Sequence, residues 1–117
     1  MHEYVNHING HDAAAADGRT FTAFNPTTGA PWGTFALAGP EDVDQAVTAA
    51  HTAFRNGPWS KLSPTRRGRL LMQWGEMIAE HAERIAAIET EQNGKLVAEM
   101  RAQARTVRDW LYYFGGL

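Results

Sequence analysis

The side chains with types and spacing suited to chemistry are mostly charged. Arg101, Arg105 and Arg108 stand four and three residues apart, so on a helix they share one face. Such a stripe is either solvated or directs an anion-attracting surface into a cavity. Arg66, Arg67 and Arg69 could hold a phosphate, but they run straight into an apolar helical pattern. They read more simply as its first turn, paired with acidic neighbours or another subunit. Glu76, Glu80, Glu83, Glu89 and Glu91 could in principle supply a general acid and base, although a solvated helix face explains them with fewer assumptions. His2, His7, His11, His51 and His81 form no i, i+4 pair on a predicted helix beside a carboxylate. A zinc site therefore lacks its spacing, and solvated or capping histidines are expected.

The absences narrow the chemistry further. There is no cysteine, which excludes disulfides, thiolate zinc and a cysteine nucleophile within these residues. No G-x-G-x-x-G or G-x-x-x-x-G-K-[ST] occurs, and Gly94-Lys95 lacks the upstream glycine of a phosphate loop. No serine sits in a G-x-S-x-G elbow. The chain thus shows no catalytic residue, no cofactor-binding motif and no metal site of its own.

A net charge of −2 argues against nucleic acid as a partner. An RNA or DNA surface built on Arg66, Arg67 and Arg69 would want stacking aromatics on the same face. Trp74 and Leu70 fall on the apolar stripe instead. No run approaches the roughly 18 apolar residues of a membrane helix. The opening MHEYVNHING lacks the charged-then-apolar order of a secretory signal, so a cytoplasmic protein is expected. At 117 residues, with 44% hydrophobic and 21% charged residues, the chain suits one globular unit.

The elements that would position these groups are strands first and helices after. Tyr4, Val5 and Ile8 suggest a short edge strand, with Asn9-Gly10 a strong turn signal. Ala13 to Ala16 is too short to nucleate a helix alone. Phe21–Phe24 and Trp32–Leu37 read as strands of a β-hairpin around Asn25-Pro26-Thr27-Thr28-Gly29. An isolated hairpin is marginal in water and must pack on something.

Gly39-Pro40-Glu41-Asp42 opens a helix, with Pro at its first position and carboxylates at the positive end of its dipole. Val43, Ala46, Val47, Ala50 and Phe54 trace one face, and Asn56-Gly57-Pro58 ends it. Ser63 and Pro64 cap and start a long segment in which Leu70, Leu71, Trp74, Met77, Ile78, Ile85 and Ile88 recur at helical spacing. It should bend near His81-Ala82 into two helices and stop at Asn93-Gly94. A fourth helix carries Leu96, Met100, Ala104, Val107, Leu111 and Phe114 on one face. The expected fold is α+β: an N-terminal β-hairpin and short strands followed by about four α-helices. Around its last turn Trp110, Leu111, Tyr112, Tyr113, Phe114 and Leu117 crowd together, a pattern that calls for burial on more than one side.

Taken in order, Ile8-Asn9-Gly10, Phe24 to Gly29, Glu41 to Val47, Ala49-Ala50 with Phe54, Trp59, Arg66 to Leu70, Glu89 to Lys95 and Tyr112 to Gly116 resemble the N-terminal portion of the NAD(P)-dependent aldehyde dehydrogenase superfamily. Leu96 departs from the pattern, since many members carry Pro after Gly-Lys. The resemblance implies part of that family's α/β fold. Residues 1–39 would belong to a small assembly sheet, and 40–117 to the helical part of the cofactor-binding domain, together one incomplete domain.

In that family a cysteine thiolate attacks the aldehyde, NAD(P)+ is the oxidant, a glutamate activates water, and an asparagine with a backbone amide holds the oxyanion. All of these come later in the family's sequence than Leu117. The chain alone is therefore expected to be inactive and to bind neither NAD nor NADP. It would contribute scaffold and subunit contacts to a homo-oligomer whose substrate is an aldehyde. Because the helix before Tyr-Tyr lines the substrate entrance in the family, Arg101 and Arg105 are the candidates there and hint at an acidic aldehyde. The rival is a freestanding helical adaptor without catalysis. It requires the Trp110–Leu117 cluster to be buried against Trp74 and Phe54, whereas an enzyme portion leaves it exposed.

Overall fold

The computed structural model describes residues 2–117. They divide into two compact units, Met1–Lys61 and Leu62–Leu117.

In the first unit, β2 (Asn6–Ile8) and β3 (His11–Ala13) form a tight antiparallel hairpin with Ile8 opposite His11. Its two-residue turn holds Asn9 at φ 53° and Gly10 at φ 79°. Both values are positive, which is why Asn-Gly is favoured there. Strands β4 (Thr20–Phe24) and β5 (Pro31–Ala36) form the expected second hairpin. Its loop is fixed by Asn25, whose Oδ1 accepts from the amides of Thr27 at 2.9 Å and Thr28 at 3.3 Å. The Gly29 amide returns to the Asn25 carbonyl at 2.8 Å.

Strand β1 (His2–Tyr4) adds to β5 in parallel, giving a sheet of order β1-β5-β4. The single edge strand expected from Tyr4, Val5 and Ile8 is thereby corrected to two, with Tyr4 in β1 and Ile8 in β2. The parallel partner of β1 lies about thirty residues away in sequence, out of reach of any local pattern. The reward for this pairing is aromatic. Tyr4 stacks on Phe35 with centroids 4.7 Å apart and meets the edge of buried Trp32 at 5.6 Å.

Helix α1 (Pro40–Asn56) starts at Gly39 with Pro first, as expected. Its one buried residue is Asp42. The Asp42 carboxylate accepts from the Gly39 amide at 2.8 Å and, across the fold, from the Ala16 amide at 2.9 Å. Asp42 therefore does more than complement the helix dipole: it ties the 15–17 turn to the helix. The apolar face expected to seat α1 is open instead, with Val43, Val47 and Phe54 all exposed and Phe54 at 75%.

The second unit is three helices: α2 (Pro64–Glu80), α3 (Ala82–Asn93) and α4 (Val97–Gly115). The Ser63 hydroxyl caps α2 by accepting from the Arg66 amide at 3.3 Å. His81, at φ −97° and ψ 11°, forms the joint between α2 and α3. Gly94, at φ 75°, ends α3. The helix bounds thus follow the sequence closely.

The packing does not. The buried residues are Gly68 and Gly75 of α2, Ala82 and Ala86 of α3, and Met100 and Ala104 of α4. Of the expected stripe, Leu70, Trp74 and Met77 are exposed, Trp74 at 56%, while Leu71, Ile78, Ile85 and Ile88 are half-buried. Small residues win the interface because they let the backbones of α2 and α4 approach closely, which a Leu or Trp would prevent.

Candidate functional site

Helices α3 and α4 run from a shared turn at Gly94, and Glu83 and Arg105 lie equally far from it on either side. Folding the pair back on itself sets Glu83, in the first turn of α3, opposite Arg101 and Arg105, one turn apart on α4. Arg101 donates from Nε to Glu83 Oε2 at 2.7 Å, and Arg105 from Nη2 to Glu83 Oε1 at 2.9 Å. One carboxylate therefore bridges both predicted substrate-entrance arginines. The three side chains stay in contact with water, Glu83 at 59% exposure.

Arg108 leaves this group. Its Cα and Cγ lie against Gly75 of α2, and its Nε sits 3.6 Å from Asp109, an ion-pair distance but not a hydrogen bond. Of the other basic set, Arg67 donates to the Leu62 carbonyl at 3.3 Å. Arg69 lines a cavity of about 360 Å³ with Pro64, Thr65, Met72 and the last glycines.

Among the acidic residues, Glu76 accepts from the Tyr112 hydroxyl at 2.5 Å, joining α2 to α4. The negative acceptor holds the phenol's proton in place and raises its pKa above the ordinary 10.0. Glu89 accepts from Asn93 at 2.8 Å. Near the N-terminus His7 meets Asp12 across β2 and β3 at 2.8 Å, and the Arg19 amide and guanidinium lower the Asp17 pKa. Among the described residues, no three His, Asp or Glu gather in a way that could hold a metal ion. In the same residues, no helix is long and apolar enough to cross a membrane.

A groove of about 530 Å³ lies in the first unit, where the β2–β3 turn meets α1, and is lined by Ile8, Asn9, Asp44, Thr48 and Thr52 among others. The arrangement that can act on a small charged molecule is the Arg101–Glu83–Arg105 fork, which can attract and orient an anion but cannot transform one. From the sequence alone Glu83 belongs with the solvated carboxylates. The available signal was its equal spacing with Arg105 from the Gly94 turn, which an antiparallel helix pair converts into contact.

A strongly exposed apolar surface lies at the end of α4. Trp110, Tyr113 and Phe114 are all exposed, and Leu117 is 84% exposed. Trp110 and Phe114 stack with centroids 6.5 Å apart. The cluster is therefore not folded into a closed core.

Comparison with known proteins accounts for this incompleteness. Residues 13–117 match the model of the aldehyde dehydrogenase family. Over 113 residues, 92% of the chain, 40% are identical to a mitochondrial protein of Arabidopsis thaliana named aldehyde dehydrogenase family 2 member B4. The match takes in 20% of that relative's length. A (Z)-2-((N-methylformamido)methylene)-5-hydroxybutyrolactone dehydrogenase of Acinetobacter baylyi is 35% identical over the whole chain and 24% of its own length.

Among solved structures, an NAD-dependent aldehyde dehydrogenase from Sinorhizobium meliloti superposes with a TM-score of 0.92 at 33% identity, over 97% of this chain and 23% of that one. A Staphylococcus aureus betaine aldehyde dehydrogenase, solved with NAD+, superposes with a TM-score of 0.91 at 30% identity, over the same shares. The chain spans about a fifth to a quarter of the length of these relatives. Short strands followed by four helices match the corresponding portion of these structures, and by fold and sequence together the chain belongs to the aldehyde dehydrogenase family.

Proposed function

We propose that these residues are the N-terminal portion of an oxidoreductase that converts an aldehyde to a carboxylic acid with NAD(P)+. The observation that carries this reading is the family match over 13–117 on a fold superposing at a TM-score of 0.92. The chain's own share is scaffold. The strands of residues 1–39 take part in subunit assembly as a homo-oligomer. The helices of 40–117 pack against the remainder of the cofactor-binding domain, and the exposed faces of α1, α2 and α4 are the surfaces available for it.

NAD+ is the first choice of oxidant, since the Sinorhizobium and Staphylococcus neighbours are described with it. Arg101 and Arg105 lie at the substrate entrance. The reading includes a cytoplasmic location, which fractionation tests against the organelle named for the Arabidopsis relative.

The experiment is a chimera in which residues 1–117 replace the corresponding portion of the Sinorhizobium enzyme. Reduction of NAD+ by an aldehyde is then assayed beside the 117-residue chain alone. Activity in the chimera and none in the isolated chain is expected. An inactive chimera, together with a monodisperse and well-folded isolated chain, would transfer the claim to a non-catalytic adaptor.

A further inference from the structure

The fork on α3 and α4 has a charge balance that bears on which aldehyde is taken. Glu83 spends one oxygen on each guanidinium, at 2.7 Å from Arg101 and 2.9 Å from Arg105. A guanidinium carries five N–H donors in a planar fork, so most donors on both arginines remain open. Two cations against one carboxylate leave a net charge of +1. Among the described residues neither arginine has a second acidic partner. The side chains are 40% to 62% exposed, so solutes can reach the fork.

We propose, resting on the reading above that this face of α4 borders the substrate entrance, that Arg101, Arg105 and Glu83 form a charge filter favouring aldehydes that carry a carboxylate. Glu83 sets its strength. A planar carboxylate matches the paired N–H edges of a guanidinium, and Glu83 holds two such edges side by side by restricting both long side chains. The bound Glu83 also subtracts one charge from the pair, so the filter attracts anions without binding them so tightly that they stay. No bond is made or broken at the fork; it acts on encounter and orientation.

The sign of each substitution follows from this balance. Glu83→Gln takes the cluster from +1 to +2 and strengthens the attraction. Replacing both arginines by glutamine leaves −1 and reverses it. Neutral aldehydes should be indifferent to either change.

The test uses the complete chimera and two aldehydes of equal length, one ending in a carboxylate and one in a neutral amide, at low and high salt. Glu83→Gln should lower KM for the carboxylate aldehyde by roughly two- to fivefold at low salt, the scale of one exposed charge interaction. The double change Arg101→Gln with Arg105→Gln should raise KM by at least a similar factor and invert its salt dependence, since added salt now screens a repulsion. Neither should shift KM for the amide. If the ratio of the two KM values is the same in all three proteins while thermal stability falls, the fork is only a tie between α3 and α4 and the proposal is wrong. If the unsubstituted chimera oxidises neither aldehyde, the functional reading itself fails, and this inference with it.

Discussion

Gly68 of α2 and Gly115 of α4 touch backbone to backbone. A β-carbon on Gly68 would overlap the Gly115 carbonyl oxygen, and one on Gly115 would lie 2.8 Å from that of Gly68. This contact brings the start of α2 against the end of α4, where the aromatic cluster sits.

Gly68→Ala should therefore destabilise the helical unit despite improving helix propensity. Alanine is favoured over glycine in a helix by about 1 kcal/mol. Overpacking against an atom that cannot swing aside costs about 1–3 kcal/mol. The steric effect wins at Gly68, where the obstacle is backbone. At Gly75 the nearest atoms are the Cα and Cγ of Arg108 at 3.3 Å and its carbonyl oxygen at 3.4 Å, so a β-carbon needs only a few tenths of an ångström of give, and Gly75→Ala should be close to neutral. Thermal inactivation of the two chimeric variants compares them directly; equal midpoints would refute the close approach.

Asp42 should matter more than any apolar residue of α1. Its carboxylate satisfies the Gly39 and Ala16 amides. Asp42→Ala removes both acceptors, each bond to a charged group contributing about 1.5–3 kcal/mol. Asp42→Asn keeps one carbonyl oxygen and should fall between alanine and the native residue. Denaturant midpoints of the three proteins give the order, and a neutral Asp42→Ala would show that the turn at 15–17 is held by something else.

The Tyr112–Glu76 bond gives a pH signature. The folded-state pKa of Tyr112 lies above the ordinary 10.0 because its proton is shared with a carboxylate. A raised folded pKa means that the bond's contribution is complete below the unfolded value, near 10, and is lost as pH climbs through the folded value. An ultraviolet titration of the phenols should show one group ionising late. Glu76→Gln should remove that late component and leave the helix content at neutral pH unchanged.

The exposed end of α4 should make the isolated chain self-associate. Trp110, Tyr113, Phe114 and Leu117 present a contiguous apolar stretch of a kind monomers seldom leave in water. Sedimentation should show oligomers whose mass falls with dilution. Trp110→Ser with Phe114→Ser should shift the distribution toward monomer, and a native chain that is monomeric at high concentration would contradict the exposed cluster.

Much of this was legible in the residues themselves, because it is written in local backbone chemistry. Ser63-Pro64 starts α2, Asn93-Gly94 stops α3, and Asn25 to Gly29 turns the hairpin, each through hydrogen bonds or dihedral preferences spanning a few residues. The absence of a cysteine nucleophile was equally plain, and the family follows from those marks in order.

Tertiary structure decided what lies between distant segments. Helical periodicity puts Leu70, Leu71, Trp74, Met77 and Ile78 on one stripe but could not show that its Leu71–Ile78 side, with Gly68 and Gly75, would be covered while Leu70, Trp74 and Met77 stay exposed. Asp42 reads as a dipole-complementing acid until Ala16 is seen beside it. Tyr4 reads as part of a strand until β5 is found to pair with it in parallel. Glu83 reads as an unpaired solvated acid until the turn at Gly94 brings Arg101 and Arg105 to it, still in contact with water. In each case the local pattern sets which direction a side chain faces along its own element, and only packing sets what stands there to meet it.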